Sequence, residues 1–221
     1  MPHPTRFVSM TGMTRFGLRP VILLWRMDNP SLILQTVDKH LDHEVRLVIY
    51  GRAALWLGFE GSPSEAARTQ DVDAIISTIQ EKELEADSGF WDAVEASNAE
   101  LAARGLCITH FFSEREMFLR RDWLDQILAV TRLQLRHLEL FRPATVDLVL
   151  SKMMRGSDPQ DMADAEFMIH HDGIGEAQLL EAFAQMKPIV ELREAFAKAR
   201  PIVLKFARAE AGTTELKQSS A

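Results

Sequence analysis

Val45-Arg46-Leu47-Val48-Ile49-Tyr50-Gly51-Arg52-Ala53-Ala54-Leu55, followed by Arg68-Thr69-Gln70-Asp71-Val72-Asp73-Ala74-Ile75-Ile76, is the stretch that decides the fold. Its first six residues are apolar and β-branched enough for a strand, Gly51 ends them, and the alanine-rich run to Leu57 favours a helix. Residues 58–68 hold Gly58, Gly61, Ser62, Pro63 and Ser64, a loop composition, and residues 69–76 then predict a second strand. Alternate residues of a strand share a face, so Asp71 and Asp73 present two carboxylates side by side while Val72 packs beneath. Such a pair suits a hard, oxygen-ligated ion such as Mg²⁺. It equally suits two solvated acids at a strand edge, because a D-x-D tripeptide is common.

Upstream, Asn29-Pro30 is a start signal for a short helix over residues 32–41. Downstream, residues 77–104 predict two helices broken near Ser88-Gly89 and stopped at Gly105. Residues 107–112 and 132–141 read as extended, with His110 and Cys107 taken as core residues. Residues 145–155 are helical by apolar spacing, and Ser157-Asp158-Pro159 opens another helix to about His170, ended by Gly173 and Gly175. The chain from 176 to 211 is helical again, with Pro188 opening one helix and Pro201 starting or kinking the last. The expected fold is α/β (α+β): a short mixed sheet with helices on one side and a helical C-terminal region. Residues 27–175 form the main domain, 176–211 a helical extension and 212–221 a disordered polar tail.

Of 221 residues, 47% are hydrophobic and 26% charged, with 12 Phe and 4 Trp to fill an interior, which excludes a disordered chain. Net charge is −7, against a wholesale polyanion binder. The charge is uneven: residues 1–26 hold Arg6, Arg15, Arg19 and Arg26 and no acid, and read as a disordered arm or an over-extended start before Met27. Residues 187–208 hold six basic side chains against Glu191 and Glu194, a surface for tRNA or another polyanion or simply a solvated helix face. The single cysteine, Cys107, excludes an intrachain disulfide and a multi-cysteine zinc site and points to the cytoplasm. The longest apolar run near the N-terminus, residues 21–25, is too short to span a membrane.

Gly51-Arg52-Ala53-Ala54-Leu55 with Arg68-Thr69-Gln70-Asp71-Val72-Asp73 resembles the glycine motif and D-x-D of the polymerase-beta-like nucleotidyltransferase superfamily. The likeness is to small bacterial members related to abortive-infection toxins. Asp147-Leu148-Val149-Leu150-Ser151-Lys152 and Asp158-Pro159-Gln160-Asp161-Met162-Ala163-Asp164 are similar to that group's second block, a lysine helix followed by a D-x-x-D helix. The resemblance spans residues 45–170.

The resemblance implies transfer of a nucleoside monophosphate from an NTP to a hydroxyl on RNA, protein or a small molecule. It also implies a small antitoxin or regulator encoded nearby. Asp71 and Asp73 would hold Mg²⁺ with the triphosphate, Gly51, Arg52 and Thr69 would line the nucleotide, and Lys152 would neutralise phosphate charge. Asp161 and Asp164 share a helix face and would orient Lys152 or meet an arginine. A third metal carboxylate is assigned to Glu139, with Asp122 behind it. The chain departs from the family pattern at Tyr50, where a second small residue belongs. That departure supports the alternative, an inactive binding or regulatory module on the same fold.

Overall fold

The computed structural model describes residues 28–218, with side chains described through Arg208. The expectation for residues 1–26 and the last three residues of the tail lie outside the described residues. Helix α1 (Asn29–His40) begins where Asp28 accepts the Ser31 N–H at 2.9 Å and Pro30 occupies the first turn, both favourable for helix entry. Strand β1 (Val45–Tyr50) turns directly into α2 (Gly51–Gly58). Gly51 makes that turn at φ +66°, a backbone region costly to any residue with a Cβ. Strand β2 (Asp71–Ile76) follows the loop, then α3 (Thr78–Ala86) and α4 (Ser88–Leu101), each opened by a side-chain cap from Ser77 or Asp87.

Strands β3 (Cys107–Ser113), β4 (Leu128–Ala129) and β5 (Leu138–Arg142) complete a mixed five-stranded sheet of order β3-β2-β1-β5-β4. β1 pairs antiparallel with β2 and parallel with β5, while β3 runs parallel to β2. Period-two alternation divides the sheet faces cleanly. Val45, Leu47, Ile49, Val72 and Ala74 face the main core with α1, α2 and α4, where each fully buried Leu or Ile contributes about 1.5–3 kcal/mol. Val48 and Ile75 face the other way, under a strap of residues 114–126 that contributes Met117, Leu119 and Trp123.

Helices α5 (Thr145–Lys152), α6 (Pro159–Asp172), α7 (Glu176–Gln185) and α8 (Arg193–Gln218) form the C-terminal part, packed into the same core through residues such as Leu148, Met168, Leu179 and Val203. The α/β class with helices on one side is therefore as expected. Two local expectations are corrected. Pro188 lies between α7 and α8 and opens no helix, since a single turn at Val190–Leu192 intervenes. The helical backbone also continues through Gln218, past the boundary placed at 212, as the helix formers Glu215, Leu216, Lys217 and Gln218 permit. No described helix is long and apolar enough to cross a membrane.

Candidate active site

A cleft of about 510 Å³ opens where β1, β2 and β3 meet the α5–α6 corner. Tyr50, Gly51, Arg52, Thr69, Asp71, Asp73, His110, Lys152 and Asp161 all line it. Thus residues of the two blocks quoted from the sequence, some eighty residues apart, line one space.

The acidic wall is built from strand alternation. Val72 is fully buried in the core, which turns Asp71 and Asp73 outward together. Thr69 Oγ1 donates to Asp71 Oδ1 at 2.8 Å and fixes that carboxylate. Asp73 stands opposite Tyr50 in the β1–β2 pairing and opposite His110 in the β2–β3 pairing. His110 Nδ1 lies 3.1 Å from Asp73 Oδ1. Burial, together with the neighbouring Asp71 charge, raises the pKa of Asp73 in spite of His110. Burial and the same two carboxylates push the Tyr50 phenol far above its usual value, so it stays neutral, its ring edge-on to Phe112 at 5.7 Å.

The opposite wall carries cations tied to acids. Lys152 Nζ donates to Asp161 Oδ1 at 2.9 Å and to Asp164 Oδ2 at 2.7 Å, and all three side chains are buried. An ammonium has three N–H donors, so one remains for the cleft. Arg155 Nε also donates to Asp161. Burial opposes the Asp161 charge, but Arg155 and Lys152 outweigh it and hold its pKa below the usual carboxylate value. Arg52, next to the glycine turn, lies 3.8 Å from Asp164, and its Nε and one terminal nitrogen are buried without an acceptor. Buried donors are seldom left unpaired, which marks Arg52 as the cation with unused capacity.

The expectations for Asp71, Asp73, Gly51, Arg52, Thr69, Lys152, Asp161 and Asp164 thus converge in space. The expectations for Glu139 and Asp122 do not. Glu139 sits four residues before the Asp73 level of the sheet, because Arg46 pairs with Glu139 whereas Tyr50 pairs with Asp73. At about 3.3 Å per residue that is roughly 13 Å along the strands. Glu139 instead forms a 3.5 Å ion pair with Arg46 at the far end of the sheet. Asp122 belongs to the strap and does not line the cleft. His110 is the second correction: it is an exposed residue beside Asp73, not a core residue. A register shift between Val72 and Asp73 places Thr109 as an extra residue on β3 and turns His110 from the core face to the acidic face.

Asp71, Asp73 and His110 form the one group of three such side chains among the described residues whose ligand atoms all lie within 4.8 Å of one another. No family model, curated protein or solved structure matches the chain.

Proposed function

We propose that the protein is a divalent-cation-dependent nucleotidyltransferase of the polymerase-beta-like type, using Mg²⁺ or a similar ion and an NTP. The reading rests above all on Asp71 and Asp73 facing Arg52, Lys152 and Arg155 across one cleft. The donor chemistry fits a cation, since two partly buried carboxylates sharing a face repel each other until a positive charge joins them. Bound at Asp71 and Asp73, the ion would supply Lewis-acid stabilisation of phosphoryl oxygens.

The chain's own groups do the rest. The α2 N-terminus at Gly51 and Arg52 presents backbone N–H groups that have no partner within the helix, a favourable seat for phosphate. Arg52 and the remaining Lys152 donor add positive charge beside it. Asp161 and Asp164 orient Lys152 through their hydrogen bonds to its ammonium. Attack of an acceptor hydroxyl on the α-phosphorus forms one P–O bond, breaks the bond to the bridging β-phosphate oxygen to release pyrophosphate, and gives up the hydroxyl proton to solvent water. The acceptor is a hydroxyl of RNA, protein or a small molecule, and a toxin-type role fits the same chemistry.

Pyrophosphate release with each of the four NTPs and Mg²⁺ or Mn²⁺, together with label transfer from α-labelled nucleotide, tests this reading. Asp71→Asn and Asp73→Asn should each lower turnover at least about a hundredfold while retaining the fold. Release that persists in both variants, or wild-type protein that binds the nucleotide and never releases pyrophosphate, overturns the enzyme. The second outcome selects a non-catalytic module, which Tyr50, lining the cleft where the family pattern has a small residue, favours.

A further inference from the structure

We propose that His110 is a third ligand of the cation held by Asp71 and Asp73, and that it tilts the site from Mg²⁺ toward a divalent transition ion such as Mn²⁺ or Co²⁺. The proposal rests on the cation-dependent reading above and deepens it. Its first support is the extra residue on β3. Cys107 faces Asp71 and Ile108 faces Val72; continued without interruption, that pairing would set Thr109 against Asp73 and turn His110 toward the core with Ile108. The shift after Val72 sets His110 against Asp73 instead, and Phe111 takes the core-facing position against Ala74. Irregularities of this kind commonly re-aim one side chain, and here the re-aimed side chain is an imidazole.

The second support is the ring's surroundings. His110 stacks on Phe112 with centroids 5.5 Å apart and planes 26° from parallel, which restrains its orientation. Its side chain is 58% exposed, so binding an ion requires no opening of the core. Nδ1 lies 3.1 Å from Asp73 Oδ1, and Thr69 donates to the neighbouring Asp71 carboxylate. The third support is the donor set itself. Mg²⁺ favours oxygen ligands and keeps much of its water, whereas imidazole binds Mn²⁺, Co²⁺ and later ions with rising affinity. No third carboxylate free of an ion pair lines the cleft among the described residues, so nitrogen stands where an oxygen donor would favour Mg²⁺.

Isothermal titration of Mg²⁺, Mn²⁺ and Co²⁺ into the nucleotide-free wild type, His110→Ala and Asp73→Asn decides the matter, with circular dichroism to establish folding. In the wild type Co²⁺ and Mn²⁺ should bind more tightly than Mg²⁺. His110→Ala should weaken Co²⁺ and Mn²⁺ binding by about tenfold or more and leave Mg²⁺ unchanged, and Asp73→Asn should weaken all three. A measurement on unmutated protein accompanies these: substoichiometric Mn²⁺ should broaden the imidazole NMR resonances of His110 before those of other histidines. Equal losses for all three ions in His110→Ala, no loss at all, no binding of any ion by the wild type, or an unbroadened His110 signal overturns the proposal. Failure of the transfer reading is seen separately, as absent pyrophosphate release by protein that shows this metal signature.

Discussion

Asp38, on α1, accepts backbone N–H groups from Arg136, His137 and Leu138 at 2.7–3.0 Å and so pins the segment that leads into β5. Burial pushes its pKa up, but these three donors and the His137 charge outweigh burial and hold it below the ordinary value. A carboxylate with a depressed native pKa adds stability that is present above its unfolded value near 4 and is lost as pH falls through the native one. Urea denaturation should therefore show Asp38→Ala less stable by about 1.5–3 kcal/mol at neutral pH, a gap that narrows progressively below about pH 4. Gly51 offers a different test. A Cβ there would meet Asp73 Oδ2 at an ordinary 3.6 Å, so the cost of Gly51→Ala comes from the backbone at φ +66° and not from crowding. We expect about 1–2 kcal/mol lost in the same denaturation experiment.

The strap over the open sheet face depends on a buried ion pair. Asp147 on α5 is fully buried, accepts the Arg120 backbone N–H at 2.9 Å and receives its guanidinium at 2.8–3.2 Å. Asp147→Ala strands that arginine and should cost about 3–5 kcal/mol in thermal or chemical denaturation. The β1–α2 turn and the outward pair Asp71 and Asp73 were legible because a glycine stop and period-two alternation are local properties. The α6 start was legible for the same reason, with Asp158 capping the Asp161 N–H and Pro159 in the first turn. His110 and Glu139 were misjudged because their positions depend on strand register, which joins residues tens of positions apart. One extra residue on β3 reversed the face of His110, and no local pattern in Cys107-Ile108-Thr109-His110 announces it. The Arg120–Asp147 pair was missed likewise, since it joins α5 to a strap without regular periodicity.

Across the whole protein, a net charge of −7 no longer argues against a phosphate ligand, because part of the acidic excess lines the proposed cation site and Arg52, Lys152 and Arg155 line the same cleft. A divalent ion that binds only the folded state adds about 2.7 kcal/mol at a hundred times its Kd. For a domain of this size that is a rise of about 5–10 °C in Tm. Differential scanning fluorimetry should show the rise in wild type and none in Asp73→Asn. The two walls also have a consequence for biosynthesis. Asp73 leaves the ribosome 79 residues ahead of Lys152, which is roughly 4–16 s at about 5–20 residues per second. For that interval a nascent chain carries Asp71, Asp73 and Arg52 without Lys152 and Arg155. The proposed site is thus complete only when its second block emerges, and a chain truncated before α5 carries the D-x-D signature and Arg52 without Lys152 and Arg155.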